Sequence, residues 1–201
     1  HKIDFCIWKS LNYPLIIFQA ELPARKIIPT LRLNSRLPLA RLSLFYIKET
    51  RRVGCDFKLD SERSNYLCRV LRLSVGDKIN LFDGHGNLYT AAISQANPRG
   101  ATVLISAEEE IKDTRPYQLK LAVALIKGPA MDRALQRATE LGASQIQLLQ
   151  TDRSNVALKA ERIKSKLDHW MRVISSSCEQ CGQLFLPRIE GPITLQQAIE
   201  K

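Results

Sequence analysis

The sequence predicts an N-terminal all-β domain followed by an α/β domain built on a parallel sheet. Three observations carry this. Between residues 41 and 107, short apolar segments alternate with Gly, Asp and Asn turns, the pattern of a small barrel. A polar stretch from Glu108 to Tyr117, with Glu108-Glu109-Glu110 and Pro116, then reads as a linker. Beyond it, residues 118–201 follow a strand, helix, strand, helix order, which implies parallel strands joined by crossovers.

Composition bounds what such a chain can do. Its 201 residues, 45% of them hydrophobic, can bury one sizeable core or two small ones. Thirty Lys/Arg against twenty Asp/Glu give +10, which favours polyanionic partners over acidic ones. Residues 1–40 contribute six basic and two acidic side chains, so +6 belongs to 41–201. The five cysteines (Cys6, Cys55, Cys68, Cys178, Cys181) are odd in number, widely spaced and follow no secretory leader, which argues for free thiols in a reducing compartment. No stretch approaches the ~20 apolar residues of a membrane span, so no membrane association is expected.

Residues 1–40 have no initiator Met, four prolines (Pro14, Pro23, Pro29, Pro38) and no sustained period of 2 or 3.6. They are expected to stand outside the fold, as a transit-like leader, translated upstream sequence or an irregular tail. In 41–107, strands are expected near 42–47, 56–59, 78–83, 87–95 and 101–107, with a helix at about 61–72. Within Asn65–Arg72, Leu67, Val70 and Leu71 follow the i, i+3, i+4 rule of a buried stripe, and Arg69 and Arg72 project from another face. Ser74-Val75-Gly76-Asp77 breaks the helix, and Asp83-Gly84-His85-Gly86 supplies the φ > 0 positions of a hairpin loop. An arginine-bearing helix on a barrel rim can grip a phosphate backbone; a solvated helix over a sheet would read the same way.

In 118–201, Leu119 to Ile126 is a nearly continuous apolar strand. Pro129 opens a helix with Met131, Ala134, Leu135, Ala138 and Leu141 inward, and Gly142 ends it as a C′ residue. Asp132, Arg133, Gln136, Arg137 and Glu140 form its polar face, where Arg137 and Glu140 can pair. Ile146 to Leu149 is the second strand. A long helix from about Ala160 to Cys181 carries Ile163, Leu167, Trp170, Ile174, Cys178 and Cys181 on one stripe. Thr194 with Gln197 makes a capping box for a last helix, expected still to run at Lys201.

Few residues suggest chemistry of their own. Cys178-Glu179-Gln180-Cys181 has no second pair for zinc and closes a helix rather than opening one, so both cysteines read as core and no metal site is expected. No Ser-His-acid arrangement or phosphate-binding glycine loop is visible, and three histidines leave little room for histidine acid–base chemistry. Thr151-Asp152-Arg153-Ser154 follows the second strand at its carboxyl end, where open α/β sheets place ligands, and Arg153 can hold a phosphate or nucleotide bidentately. An ordinary exposed loop arginine is the other reading.

The order RVLR, GD, FDG, KGPAMDRALQRATELGA and SCEQCG, from Arg41 to Lys201, resembles the RsmE family of bacterial ribosomal RNA methyltransferases. That resemblance implies a PUA-like RNA-binding barrel at 41–107 and the first part of a SPOUT-class trefoil-knot domain at 118–201. It implies S-adenosyl-L-methionine as methyl donor, N3 of a uridine in 16S rRNA of the small ribosomal subunit as acceptor, and a homodimer formed through the knot domain. Arg69, Arg72, Lys127 and Arg153 are then the RNA-binding candidates, and Glu140, Glu179 and Gln180 occupy family-motif positions. No catalytic residue is assigned. Tyr66 stands where the family has histidine, free to stack on a base or to pack on the barrel, and Gln183 stands where the family commonly has arginine. The family's Gly-Pro-Glu-Gly-Gly and Leu-Arg-x-Glu-Thr-Ala motifs do not occur, and Glu190-Gly191-Pro192 has similar letters in another order. The cofactor site is therefore expected beyond Lys201, and the 201-residue chain alone is expected to be inactive. The alternative is a non-catalytic RNA-binding module. A cytoplasmic location follows, or an organellar one if residues 1–40 are a transit leader.

Overall fold

In this computed structural model the described residues are 2–8, 16–21, 42–49, 51–115, 117–151 and 160–200. They fall into two units, one from Asn34–Asp113 (the β unit) and one from His1–Leu33 with Thr114–Lys201 (the α/β unit).

The β unit is a five-stranded sheet of β3 (Leu44–Tyr46), β5 (Lys78–Phe82), β6 (Asn87–Gln95), β7 (Thr102–Glu110) and β4 (Asp56–Lys58), in that spatial order. All neighbours run antiparallel except β3 and β5. Alternate residues Ile79, Leu81, Tyr89, Ala91, Ile93, Val103 and Ile105 enter one core with Phe45, Leu59 and Leu67, the period of 2 expected when one sheet face is buried. The β5–β6 loop is organised by the buried Asp83 carboxylate, which accepts the His85 N–H at 2.8 Å and the Asn87 side-chain amide at 2.6 Å. Gly84 and Gly86 (φ 81° and 104°) supply the left-handed turns anticipated there. Strand β7 runs on to Glu110, paired across to Asn87, so Glu108-Glu109-Glu110 are strand rather than linker. Nine-residue β6 offers ladder partners that far, and the glutamate side chains stay exposed, so the extension buries no charge.

Helix α1 (Ser61–Asn65) is pinned to this sheet by one hydroxyl. Buried Ser64 Oγ donates to the Asp60 carbonyl at 2.6 Å and accepts the Ala101 N–H at 2.8 Å. Ser64→Ala would leave that buried N–H without its acceptor, a cost of about 1–3 kcal/mol. Urea unfolding should show the midpoint lowered with an unchanged slope; an unchanged midpoint would mean the Ala101 N–H finds water instead.

The α/β unit is a second five-stranded sheet, ordered β1 (Lys2–Trp8), β2 (Ile16–Glu21), β8 (Gln118–Ala124), β9 (Ala143–Gln150), β10 (Arg188–Thr194). Strands β8, β9 and β10 are parallel, as the alternating pattern implied. The expectation that residues 1–40 stand outside the fold fails for Lys2–Trp8 and Ile16–Glu21: β2 pairs antiparallel with β8, and β1 with β2. The prolines that argued against structure fall outside both strands, and the edge of β8 away from β9 recruits β2 across about a hundred residues of sequence. The rest of 1–40 lies outside the described residues.

Helices α2 (Pro129–Glu140) and α3 (Ala160–Cys181) pack on each other and on the sheet through Met131, Leu135, Ala138, Ile146, Leu148, Trp170 and Ile174. Leu141, expected inward, is 72% exposed. The helix ends there, Gly142 turns left-handed (φ 85°), and buried Thr139 takes the inner place with its hydroxyl donated to the Leu135 carbonyl at 2.8 Å. Cys178 is buried as anticipated, but Cys181 is exposed in the last turn of α3. Strand β10 had no clear sequence signal, because Gly191 and Pro192 interrupt it and shift its register against β9. The capping box of Thr194 and Gln197 forms and opens the short α4 (Leu195–Ile199), with Glu200 at its C-cap; Lys201 lies outside the described residues. No helix among the described residues is long and apolar enough to cross a membrane.

Candidate nucleic-acid interface

In the β unit, the candidate surface is built by the segment from Asp60 to Asp77. Asp60 caps α1, accepting the Arg63 N–H at 2.8 Å while its other oxygen takes the Arg63 guanidinium. Partial burial pushes the Asp60 carboxyl up, and the Arg63 contacts outweigh this and hold it below the usual range. Residues Tyr66–Val70 continue as a π-helical turn, in which the Leu71 N–H reaches back to the Tyr66 carbonyl at 3.0 Å. This wider turn changes which residues face inward. Leu67 is buried, with Cys68 and Leu71 against the same core, whereas Val70, expected to be buried, is 60% exposed. An α-helical period applied to a π turn errs by about one position, which is the physical reason for that miss. The segment stops at Arg72 (φ 56°), and Ser74–Asp77 closes the following turn, the Ser74 N–H bonding Asp77 at 2.8 Å.

Arg69 and Arg72 are both exposed, three residues apart, as their sequence positions implied. Neither forms an ion pair among the described residues, in contrast to Arg63 on Asp60 and to Arg51, which pairs with Glu49 at 2.8 Å and covers Phe57 at 4.5 Å. Tyr66 packs edge-to-face on buried Phe45, ring centroids 6.2 Å apart, and stays 41% exposed. Two guanidinium groups without an ion pair among the described residues, three and six positions after a partly exposed ring, can take a phosphate and its base.

In the α/β unit, the carboxyl ends of β8 and β9 form a second candidate edge. Lys127 is exposed in the turn leaving β8, followed by Gly128 (φ 51°), which opens α2 without a side-chain cap. Arg153 lies outside the described residues. The motif positions do not gather there. Glu140 sits at the far end of α2 from Lys127, a 12-residue helix being about 18 Å long. It accepts from Arg137 at 2.7 Å and Gln136 at 2.8 Å, and these two bonds hold its carboxyl below the usual range. Glu140 is thus part of the surface ladder read from spacing. Glu179 is half-buried and Gln180 exposed near the end of α3.

Two contacts joining α2 and α3 had no signal in the sequence. His169 Nε2 lies 3.0 Å from both carboxylate oxygens of Asp132 in the first turn of α2. Gln183, which stands where the family commonly has arginine, donates to the Thr139 carbonyl at 2.9 Å and so caps the end of α2. Arg115 supports the same corner, donating to the Gly142 carbonyl at 3.2 Å beside the Phe185 ring. Burial pushes the Cys178 thiol up to about 12, which leaves it an inert core group.

Comparison with known proteins agrees with these two units. Residues 59–106 match the RNA methyltransferase PUA domain family, and residues 113–201 match the RNA methyltransferase domain family. The ribosomal RNA small subunit methyltransferase E of Synechocystis is 34% identical over 143 residues, which are 71% of this chain and 45% of that protein. Its namesake from Buchnera aphidicola of Schizaphis graminum is 27% identical over 76% of this chain and 62% of its own length. A putative methyltransferase from Legionella pneumophila, solved with the cofactor SAM, superposes with a TM-score of 0.73 at 28% identity. The ribosomal RNA small subunit methyltransferase E from Neisseria gonorrhoeae, bound to S-adenosyl methionine, gives 0.72 at 31% identity. Each superposition covers 80% of this chain and 66% of the other. This chain therefore spans about half to two thirds of the length of these relatives. Its fold is a PUA domain joined to an α/β unit of the SPOUT methyltransferase kind. With both domain families matched in order and ribosomal RNA small subunit methyltransferase E proteins found both by sequence and by structure, the chain belongs to the RsmE family of ribosomal RNA small subunit methyltransferases.

Proposed function

We propose that this chain is the RNA-holding part of an S-adenosylmethionine-dependent methyltransferase acting on N3 of a uridine in 16S rRNA of the small ribosomal subunit. The observation that carries this is the ordered pair of matched domains, together with two structural neighbours solved with the methyl donor bound. The donor supplies an electrophilic methyl group. The chain's own contribution is to seize the RNA through Arg69 and Arg72 and to present the target nucleotide at the carboxyl edge of β8 and β9, with Lys127 and, next in sequence after β9, Arg153 as the candidates to hold it. Positioning of that kind lowers a barrier without any acid or base of its own.

Glu190-Gly191-Pro192, the segment closest in letters to the family's donor loop, lies within β10. A Cβ on Gly191 would sit 2.7 Å from both Gln147 Nε2 and the Leu148 carbonyl, so the glycine serves close strand packing and leaves no cradle. We place the donor site, and the homodimer contact, in the part of the family fold that these 201 residues do not span. Isothermal titration of the 201-residue polypeptide with S-adenosylmethionine should give no saturable heat at micromolar donor, while RNA binding persists. Saturable micromolar binding would move the pocket into residues 114–200. A longer polypeptide carrying the family's remaining motifs that binds both RNA and donor but transfers no methyl would instead favour a non-catalytic RNA-binding module.

A further inference from the structure

Three unusual features fall within the short segment from Tyr66 to Arg72 of the β unit, and phosphate contact alone requires none of them. The first is the π turn of Tyr66–Val70, which places Val70 in solvent one turn from Tyr66. Such turns are rare and concentrate at functional sites. The second is Tyr66 itself, 41% exposed and braced from behind by Phe45. The third is Arg72, the one described residue other than glycine with positive φ. That conformation is strained and persists only where its surroundings enforce it. Here the Leu73 N–H closes a wide turn onto the Leu67 carbonyl at 3.1 Å. Arg69 stands three residues from both Tyr66 and Arg72, and the two arginines have no ion pair among the described residues.

An exposed ring, an exposed valine four residues on and two cations with no ion pair among the described residues match a ligand with an aromatic face flanked by negative charge. A nucleobase with its neighbouring phosphates is that ligand. We propose that Tyr66 is the stacking platform for one unpaired base, with Arg69 and Arg72 holding the adjacent phosphates, so that this unit selects single-stranded over double-helical RNA. In a duplex each base face is covered by its neighbour and cannot reach the ring, whereas a splayed-out base can. This rests on the RNA-binding reading above and adds the conformation of the RNA and the residue that reads it.

The test is fluorescence anisotropy of the full 201-residue chain with a labelled oligouridine and a blunt RNA duplex of equal length. The parent protein should prefer the oligouridine. Tyr66→Leu keeps an apolar group against Phe45 but lacks a π face, and should lose about tenfold for oligouridine, the lower range for one stacked base, with duplex binding unchanged. Tyr66→Phe should restore parental affinity. Equal affinity of the parent for the two RNAs overturns the proposal whatever the variants do, as does a Tyr66→Leu protein that binds oligouridine like the parent or loses affinity for both RNAs equally. The underlying reading fails separately, if Arg69→Ala with Arg72→Ala leaves both affinities unchanged or if the parent binds neither RNA.

Discussion

Replacing Arg69 and Arg72 together with alanine is expected to weaken binding of structured RNA about ten- to a hundredfold at low salt. Each exposed arginine that neutralises a phosphate releases counterions worth ~0.7–0.9 in the slope of log affinity against log salt. The double variant should therefore flatten the slope by about one to two, in addition to lowering affinity. Both guanidinium groups are solvent-exposed and unpaired among the described residues, so their removal breaks no internal ion pair. Stability should stay close to the parent's, because the anchors of the segment are Leu67, Leu71 and the Ser64 hydroxyl. An unchanged salt slope would make both arginines ordinary solvated side chains. Arg72→Gly separates charge from backbone: it relieves the positive φ while removing the cation, and should lower affinity without lowering the unfolding midpoint.

The second large effect concerns Arg153, in a polypeptide completed with the family's donor-binding part. Arg153 follows β9 by three residues, on the carboxyl side where parallel sheets collect ligands. Arg153→Lys keeps the charge and loses the planar fork that grips a phosphate or base edge with two parallel bonds. One charge-assisted contact is worth ~1.5–3 kcal/mol, so methylation of small-subunit RNA should fall roughly ten- to a hundredfold. Donor affinity and melting temperature should change far less. A lysine variant that methylates at the parental rate returns Arg153 to the ordinary surface. A melting temperature that falls in step with activity makes it structural.

The readable parts of this chain were those where local physics and tertiary packing agree. Pro129, the apolar stripe of α2 and Gly142 announce a helix that forms over Pro129–Glu140. The Asp83–Gly86 loop and the Thr194–Gln197 capping box depend on contacts within a few residues, and both form. Arg69 and Arg72 are both exposed as expected, but Arg72 lies past the end of the helical segment at a positive φ and not on the helix face that the 3.6-residue period gave it. Val70 and Leu141 were misjudged where the backbone leaves the 3.6-residue period, at a π turn and at a helix end.

The two-domain order, the parallel α/β grammar after residue 117 and the family are each written in short-range patterns or ordered motifs, so residue identities alone carry them. Tertiary structure alone decided that Lys2–Trp8 and Ile16–Glu21 join the sheet, that β10 forms around Gly191 and Pro192, and that Asp132 meets His169. Such pairings depend on which edge or side chain waits at the other end of a long chain closure, and no local period encodes that.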